Sequence, residues 1–126
     1  MERYTQKFRA LGNNTRLRIV YLLLKAKSDL CVCEITDSLE IAQYNISRHL
    51  TILKNAGLIQ EHKEGRWVYF RLVREETELN EAIYHTVTQI PESLLERDLA
   101  ELRKRLSIRA DGKCERGIQK AHLKSS

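Results

Sequence analysis

The spacing of apolar residues along the chain predicts a mainly helical protein. Between residues 15 and 25, apolar side chains recur at i, i+3, i+4 and i+7, at Leu17, Val20, Tyr21 and Leu24. This spacing is typical of a helix that buries one face. Residues 3–11 also carry apolar side chains along one side, so we predict a shorter helix there.

Two further helices follow, joined by a short turn. The pattern predicts the first over residues 33–39 and the second over residues 43–56, with residues 40–42 between them. In the second helix one face is apolar, at Ile46, Leu50 and Leu53, and the opposite face is polar. Two helices with so short a connection form a helix-turn-helix, whose second helix enters the major groove of DNA.

The polar face of this second helix carries side chains suited to DNA. Arg48 can read guanine with two hydrogen bonds, and Asn45 or Asn55 can pair with adenine. Hydroxyl and ammonium groups on the same face can reach phosphates. The DNA-binding residues that we predict on this helix are Gln43, Tyr44, Asn45, Ser47, Arg48, Thr51 and Lys54. Many amphipathic helices have a solvated polar face, however, so the helix alone leaves both interpretations open.

A β-hairpin is predicted directly after this helix. Residues 59–63 and 66–72 flank a Glu-Gly turn, and apolar side chains alternate along the second segment. A hairpin after a recognition helix is a wing. Lys63 and Arg66 at its tip, with nearby His62, are placed to contact the DNA backbone or minor groove. The hairpin can also close the core, and the two roles are compatible.

Two more helices are predicted at residues 78–89 and 92–107, separated by Pro91, which disfavours helix on its N-terminal side. The second has leucines at i, i+4, i+7 and i+11, at Leu95, Leu99, Leu102 and Leu106. This stripe can pack on its own domain. We favour a dimer interface, because a protein that reads paired half-sites of an operator needs one.

The remaining residues, 108–126, are polar and basic. We predict a tail that is mobile apart from any ligand contact at Cys114. The expected organisation is therefore a DNA-binding and dimerisation domain over residues 1–107, followed by this tail. The fold class is mainly α with a small β-hairpin, a winged helix-turn-helix that dimerises through its terminal helices.

Composition narrows the class of function. The chain has 126 residues, a net charge of +5, one Pro and five Gly, which is typical of one globular domain with an anionic partner. We find no apolar signal region and no apolar run long enough to span a bilayer, so we expect a cytoplasmic protein without a membrane partner. No phosphate-binding loop, nucleophile elbow or zinc-protease motif occurs, so we do not expect an enzyme.

Cysteine provides the candidate metal chemistry, because cytoplasmic cysteines tend to be ligands or reactive thiols. The chain has three, at Cys31, Cys33 and Cys114. Thiolates select soft ions such as trivalent arsenic and antimony, copper(I), cadmium or lead. Side chains at i and i+2 point about 200° apart on a helix but share a face on an extended chain. We therefore expect the start of the helix at Cys31 and Cys33 to be extended or unwound when both bind one ion.

Four segments in order, ALGNNTRLRIVYLL, LCVCEI, ISRHLTILKNAGLI and EGRWVYFRL, resemble the ArsR/SmtB family of metal-responsive repressors. The resemblance covers residues 8–72, and LCVCEI resembles the arsenic-binding segment of the arsenical-resistance branch. It implies a homodimeric winged helix-turn-helix that pairs through its first and last helices. Such a protein represses its own operon at an inverted-repeat operator in double-stranded DNA and leaves that DNA when the inducer binds.

The chain departs from this family at two places. Tyr44 and Asn45 stand where the family often has Pro and Thr, which puts the operator sequence in doubt. The arsenical-resistance branch also has a third Cys three residues after the pair, where this chain has Thr36. The third thiol comes from Cys114 or is absent. Three thiolates suit As(III) or Sb(III), whereas two suit an organic arsenical such as methylarsenite.

The predicted function is a DNA-binding repressor that releases its operator when trivalent arsenic or antimony binds cysteine thiolates. Three alternatives remain from the sequence. The inducer can be another soft ion such as cadmium, lead or zinc, although zinc is disfavoured by the lack of clustered His and Asp. The cysteines can form a redox switch. The protein can also bind DNA without any ligand.

Overall fold

The computed structural model describes residues 1–74 and 78–126, which form six α-helices and three short strands. In chain order the elements are α1 (Glu2–Leu11), α2 (Asn14–Ala26), β1 (Leu30–Cys31), α3 (Val32–Leu39), α4 (Gln43–Asn55), β2 (Ile59–Glu64), β3 (Trp67–Leu72), α5 (Glu78–Val87), a 3₁₀ turn (Glu92–Leu94) and α6 (Glu96–Leu106). None of the described helices has the length and apolar character needed to cross a membrane.

Helix α2 is the centre of the core. Its N-terminus is capped by Asn13, whose side chain accepts a hydrogen bond from the Arg16 backbone N–H at 3.0 Å. Helices α1, α3, α4, α5 and α6 all pack against it. Its buried side chains include Ile19, Val20 and Leu22. Of the predicted apolar stripe, Val20 and Tyr21 are buried but Leu17 and Leu24 are only half-buried, because neighbours cover the helix on several sides.

The helix-turn-helix is confirmed as α3 and α4. Helix α3 ends at Leu39, and Glu40 after it adopts the left-handed conformation with φ 58° and donates its N–H to the Thr36 carbonyl at 2.9 Å. Helix α4 buries Ile46, Leu50 and Leu53, as its periodicity predicts. Gly57 follows the helix with φ 76°, a conformation that favours glycine.

The predicted hairpin is confirmed, but the sheet has a third strand that we did not predict. Strands β2 and β3 pair antiparallel, and the two-residue strand β1 pairs with the other edge of β3, giving the order β1-β3-β2. The register places Cys31 opposite Tyr69. One face of β3 packs on the main core, and Tyr69 on the other face packs on the cysteines.

The end of the domain differs from its prediction in two ways. The expected helix over residues 92–107 is a 3₁₀ turn followed by the shorter α6. Its leucine stripe is buried inside the same chain, at Leu95, Leu99 and Leu102, because α6 packs on α2 and α3. The interpretation of this stripe as a dimer interface is wrong. Periodicity identifies an apolar face, but it does not identify what covers that face.

Residues 108–126 lie against α3 and the turn that follows it. The Asp37 carboxylate accepts the backbone N–H groups of Gln119 and Lys120 at 3.0–3.1 Å. Farther along, Lys124 forms a parallel bridge with Ile41. The prediction of a mobile tail held only at Cys114 is wrong, because a buried carboxylate and backbone hydrogen bonds fix the segment at several points.

Replacement of Leu102 by Ala tests the burial of the leucine stripe. Leu102→Ala should lower the free energy of unfolding by about 2–5 kcal/mol, because it leaves a cavity at a side chain that is 3% exposed. Leu94→Ala is the matched control, since Leu94 is 74% exposed, and it should change stability by about 0.5 kcal/mol at most. Urea unfolding at one protein concentration measures both; equal, small effects would contradict the assignment.

Candidate metal centre and nucleic-acid interface

The three cysteines converge at one buried point. The Sγ atom of Cys31 lies 2.8 Å from that of Cys33 and 2.7 Å from that of Cys114, and the third separation is 3.4 Å. Their residues are 0%, 5% and 1% exposed, respectively. Cys31 precedes α3 in extended backbone, with φ −84° and ψ 162°. The expected extended start is therefore present, and the thiols meet without unwinding a turn of α3.

Strand β3 positions Cys114. The Cys114 backbone N–H donates to the Tyr69 hydroxyl at 2.9 Å, and Trp67 packs against the same cluster. On its other side the Tyr69 ring stacks on His62, with ring centroids 5.5 Å apart. Sequence reasoning did not find Tyr69. The available signal was an aromatic residue at an outward position of β3, opposite the apolar face.

Two buried ion pairs that the sequence pattern does not indicate flank the thiols. Arg105 Nε donates to the Asp37 carboxylate at 2.7 Å, and Arg109 Nε donates to the Glu34 carboxylate at 2.6 Å. Glu34 also accepts the Cys31 backbone N–H at 3.0 Å, as in a capping box. Because Asp37 and Glu34 are almost fully buried, the paired arginines are needed to neutralise them.

Arg105 also reaches the segment that carries Cys114. Its Nη2 donates to the carbonyls of Arg116 and Gly117, and lies 3.9 Å from the Cys114 sulfur. One guanidinium thus connects α3 through Asp37 with the chain on the far side of the third thiol. This contact closes the site, since it keeps residues 114–117 folded back over the start of α3.

The thiols differ in acidity. The hydrogen bond from the Cys31 thiol lowers the pKa of Cys33 to about 6, and the Arg105 guanidinium acts in the same direction. The hydrogen bond that Cys31 donates, followed by burial, raises the pKa of Cys31 well above its ordinary value. Burial raises the pKa of Cys114. The Cys33 sulfur therefore forms the thiolate that binds a soft ion most readily. Cys31 and Cys114 must release their protons when they bind the ion.

The donor set is made of sulfur alone. Within residues 1–74 and 78–126, the three cysteines are the one group of His, Cys, Asp and Glu side chains whose ligand atoms converge, all within 4.8 Å. Such a set fits a soft ion. A cleft of about 290 Å³ lies beside Cys114 and is lined by Trp67, Tyr69 and Lys113.

The predicted DNA-binding side chains of α4 lie on one accessible face, apart from Asn45, which is half-buried. Several of them already contact one another or the wing. Arg48 lies over the Tyr44 ring at 5.8 Å, and Lys54 pairs with Glu61 of β2 at 2.6 Å. The exposed residues of the predicted set on this helix are Gln43, Tyr44, Ser47, Arg48, Thr51 and Lys54.

The tip of the wing is only partly as predicted. Lys63 and Arg66 are exposed, and the Arg66 guanidinium lies over the Trp67 ring at 4.8 Å. His62 is half-buried instead, and its Nε2 lies 2.7 Å from the Asp29 carboxylate. His62 therefore does not project outward with Lys63 and Arg66, because β2 turns its side chain towards Tyr69 and Asp29.

Removal of the Asp37 carboxylate tests the closure of the metal centre. Asp37→Ala should lower the free energy of unfolding by about 3–5 kcal/mol, because it leaves Arg105 buried without its anion. It should also speed hydrogen exchange at Gln119 and Lys120, whose amides lose their acceptor. Glu61→Ala breaks an exposed pair and should cost about 1 kcal/mol or less. Equal exchange at these two amides in Asp37→Ala and in the unchanged chain would contradict the closure.

Comparison with known proteins confirms the predicted family. Residues 13–61 match the family described as bacterial regulatory protein, arsR family. The arsenic resistance transcriptional regulator ArsR1 of Pseudomonas putida is 39% identical over 95 residues, which are 75% of this chain and 73% of that protein. The arsenical resistance operon repressor of Bacillus subtilis is 41% identical over 76 residues, 60% of this chain and 71% of that protein.

The fold has solved counterparts. The homodimeric winged helix-turn-helix DNA-binding domain Mb0332 of Mycobacterium bovis, a possible ArsR-family regulator, superimposes with a TM-score of 0.59 at 27% identity. The match covers 75% of this chain and 84% of that one. The chain therefore belongs to the ArsR family of bacterial regulatory proteins and has a winged helix-turn-helix fold.

Proposed function

We propose that this protein is a homodimeric transcriptional repressor that binds an inverted-repeat operator through α4 and the wing. It releases that operator when trivalent arsenic or antimony binds Cys31, Cys33 and Cys114. The observation that carries the proposal is the convergence of three buried thiols at the start of α3, the helix that braces α4. The names of the Pseudomonas putida and Bacillus subtilis relatives, both concerned with arsenic resistance, support it.

Charge balance favours a trivalent inducer. The nearby arginines are already neutralised by Asp37 and Glu34. Three thiolates around a trivalent ion form a neutral complex, whereas three thiolates around a divalent ion keep a negative charge. An uncompensated charge is costly in a buried site. Zinc would in addition need a fourth ligand to complete a tetrahedron, and the converging group supplies three.

The positions of the three sulfurs indicate how binding of an ion would act on the surrounding chain. Thiolates that each lie about 2.3 Å from a shared ion are roughly 3.3–3.8 Å apart. Cys31 lies closer than this to both Cys33 and Cys114, at 2.8 and 2.7 Å. Cys33 and Cys114, 3.4 Å apart, already have a suitable separation, so Cys31 alone has to move, and a bound ion joins the start of α3 to the Cys114 segment. Because α3 packs on α4, ion and operator affinities are reciprocally coupled.

Dimerisation is assigned to α1 rather than to the leucine stripe. Tyr4 and Phe8 lie one turn apart on α1 and are 50% and 59% exposed, and Met1 precedes them. Large exposed apolar side chains grouped on one helix are typical of an interface. A two-fold dimer suits an inverted repeat, because each subunit then reads one half-site.

Replacement of Cys114 by Ser tests the three-thiol site. Cys114→Ser should keep its operator affinity but no longer be released by As(III), because two thiolates cannot satisfy a trivalent ion. Thr36→Ala is the control: Thr36 stands at the family's third cysteine position, and its buried hydroxyl has no hydrogen-bond partner among the described residues. This control should still be released. Fluorescence anisotropy on a labelled operator, titrated with As(III), methylarsenite and Cd(II), measures each case.

Other outcomes of this titration separate the alternatives. Release of Cys114→Ser by As(III) at the concentration that releases the unchanged chain would contradict the role of Cys114. Release of both proteins by methylarsenite alone would indicate a two-thiol site for an organic arsenical. Release by peroxide and by none of the ions would indicate a redox switch based on the low pKa of Cys33.

Arg48 tests the DNA surface separately from the metal centre. Arg48→Gln should weaken operator binding by about 5- to 150-fold, because a bidentate contact with guanine is worth about 1–3 kcal/mol. Arg103→Gln removes the same charge from an exposed position on α6 and should have little effect. Equal weakening by both variants would show that Arg48 contributes only general charge.

A further inference from the structure

Lys124 is fixed beside the turn that leads into the recognition helix. Its backbone N–H donates to the Glu40 carbonyl at 3.0 Å, and its carbonyl accepts the Ala42 N–H at 2.7 Å. These bonds bracket Ile41, and α4 begins at Gln43. The Lys124 Cα position is therefore set by backbone contacts alone, close to the N-terminus of α4.

The same segment continues along one side of α4. The Ser126 carbonyl lies 3.2 Å from His49 Nε2, near the middle of the helix, and accepts the Thr15 hydroxyl of α2 at 3.2 Å. Because a carbonyl can only accept, Nε2 carries the imidazole proton, and Nδ1 accepts from Arg16 at 3.1 Å. Burial lowers the pKa of His49, which favours this neutral form.

The wing occupies the other side of α4. Lys54 pairs with Glu61 of β2, and a groove between α4 and the sheet is lined by Ser47, Thr51 and Phe70. The exposed face of α4 thus lies between two borders, the wing on one side and residues 124–126 on the other. A helix inserted in the major groove has a phosphate backbone along each side, so both borders face phosphates.

The side-chain ammonium group of Lys124 is available to contact a phosphate. Its side chain is exposed and forms no ion pair within residues 1–74 and 78–126. Lys120, four residues earlier, instead forms ion pairs with Glu40 and Glu101. The nearby groups on α2 and α4 are the cationic Arg16 and Arg48 and the neutral His49. Glu40, whose carbonyl accepts the Lys124 N–H, has its carboxylate paired with Arg97 and Lys120. The remaining cations therefore make the border positively charged beside the predicted DNA surface.

We infer that residues 121–126 form a second border of the DNA-binding surface, in which Lys124 contacts the operator backbone beside the start of α4. This rests on the proposed function, since it requires the operator to lie against α4. The contact is to phosphate, so it adds affinity and orientation but no reading of base sequence.

The salt dependence of operator binding tests this inference. Each phosphate contact releases counterions, so Lys124→Gln should reduce the slope of log Kd against log salt concentration by about 1 per bound subunit. Lys124→Arg keeps the charge and should keep the slope. Lys104→Gln removes the same charge on the exposed side of α6 and should leave the slope unchanged. Anisotropy titrations over a series of KCl concentrations, with the full-length chain, give all four slopes.

The outcomes separate this inference from the proposed function. A slope for Lys124→Gln equal to that of Lys104→Gln would overturn the contact. Tighter operator binding by Lys124→Gln would also overturn it, because the segment would then shield the surface. Failure of the unchanged chain to bind its operator would instead overturn the proposed function itself.

Discussion

The ion pair between Asp37 and Arg105 is the interaction on which the rest of the C-terminal half depends. Asp37 lies on α3 and Arg105 on α6, so the pair joins the helix-turn-helix to the end of the domain. Through the same two side chains the chain beyond α6 is drawn back, because Asp37 accepts two amides and Arg105 donates to two carbonyls of that segment. This closure acts together with the hydrogen bond from the Cys114 N–H to the Tyr69 hydroxyl to hold Cys114 beside Cys31.

The two functional surfaces share their supporting elements. Helix α3 begins at the thiol pair and packs on α4, which carries the predicted DNA-binding face. Strand β3 packs one face on the core and covers the thiols with the other, while its hairpin partner carries the wing tip. A displacement of the sulfurs therefore acts on the brace of the recognition helix and on the root of the wing. In the proposed repressor these direct contacts are sufficient to couple the binding of the inducer to the binding of the operator.

Burial also supports the proposed preference of the three-thiol cluster for a trivalent ion. The thiols lie among two carboxylates that are each matched by one arginine, so the surroundings carry almost no net charge. In such an environment the neutral complex of three thiolates with a trivalent ion is the least costly to desolvate. The differing acidities of the three thiols follow from the same proximity, since one sulfur can accept a hydrogen bond only if its neighbour keeps a proton.

The local pattern of the sequence was sufficient to predict many structural elements of this protein. The helix-turn-helix, the hairpin and the exposed polar face of α4 follow from periods of 3.6 and 2 and from turn residues. The closely spaced Cys31 and Cys33 likewise indicate a thiol cluster. All of these features depend on neighbours in the sequence. The role of Leu102, the contact of Tyr69 with Cys114 and the burial of Asp37 with Arg105 were not accessible in this way. Cys31 and Cys114 are 83 residues apart, and nothing in the local pattern of either states which distant residue lies against it. A sequence shows which side chains favour burial, whereas the packing of the whole chain determines which residues cover them.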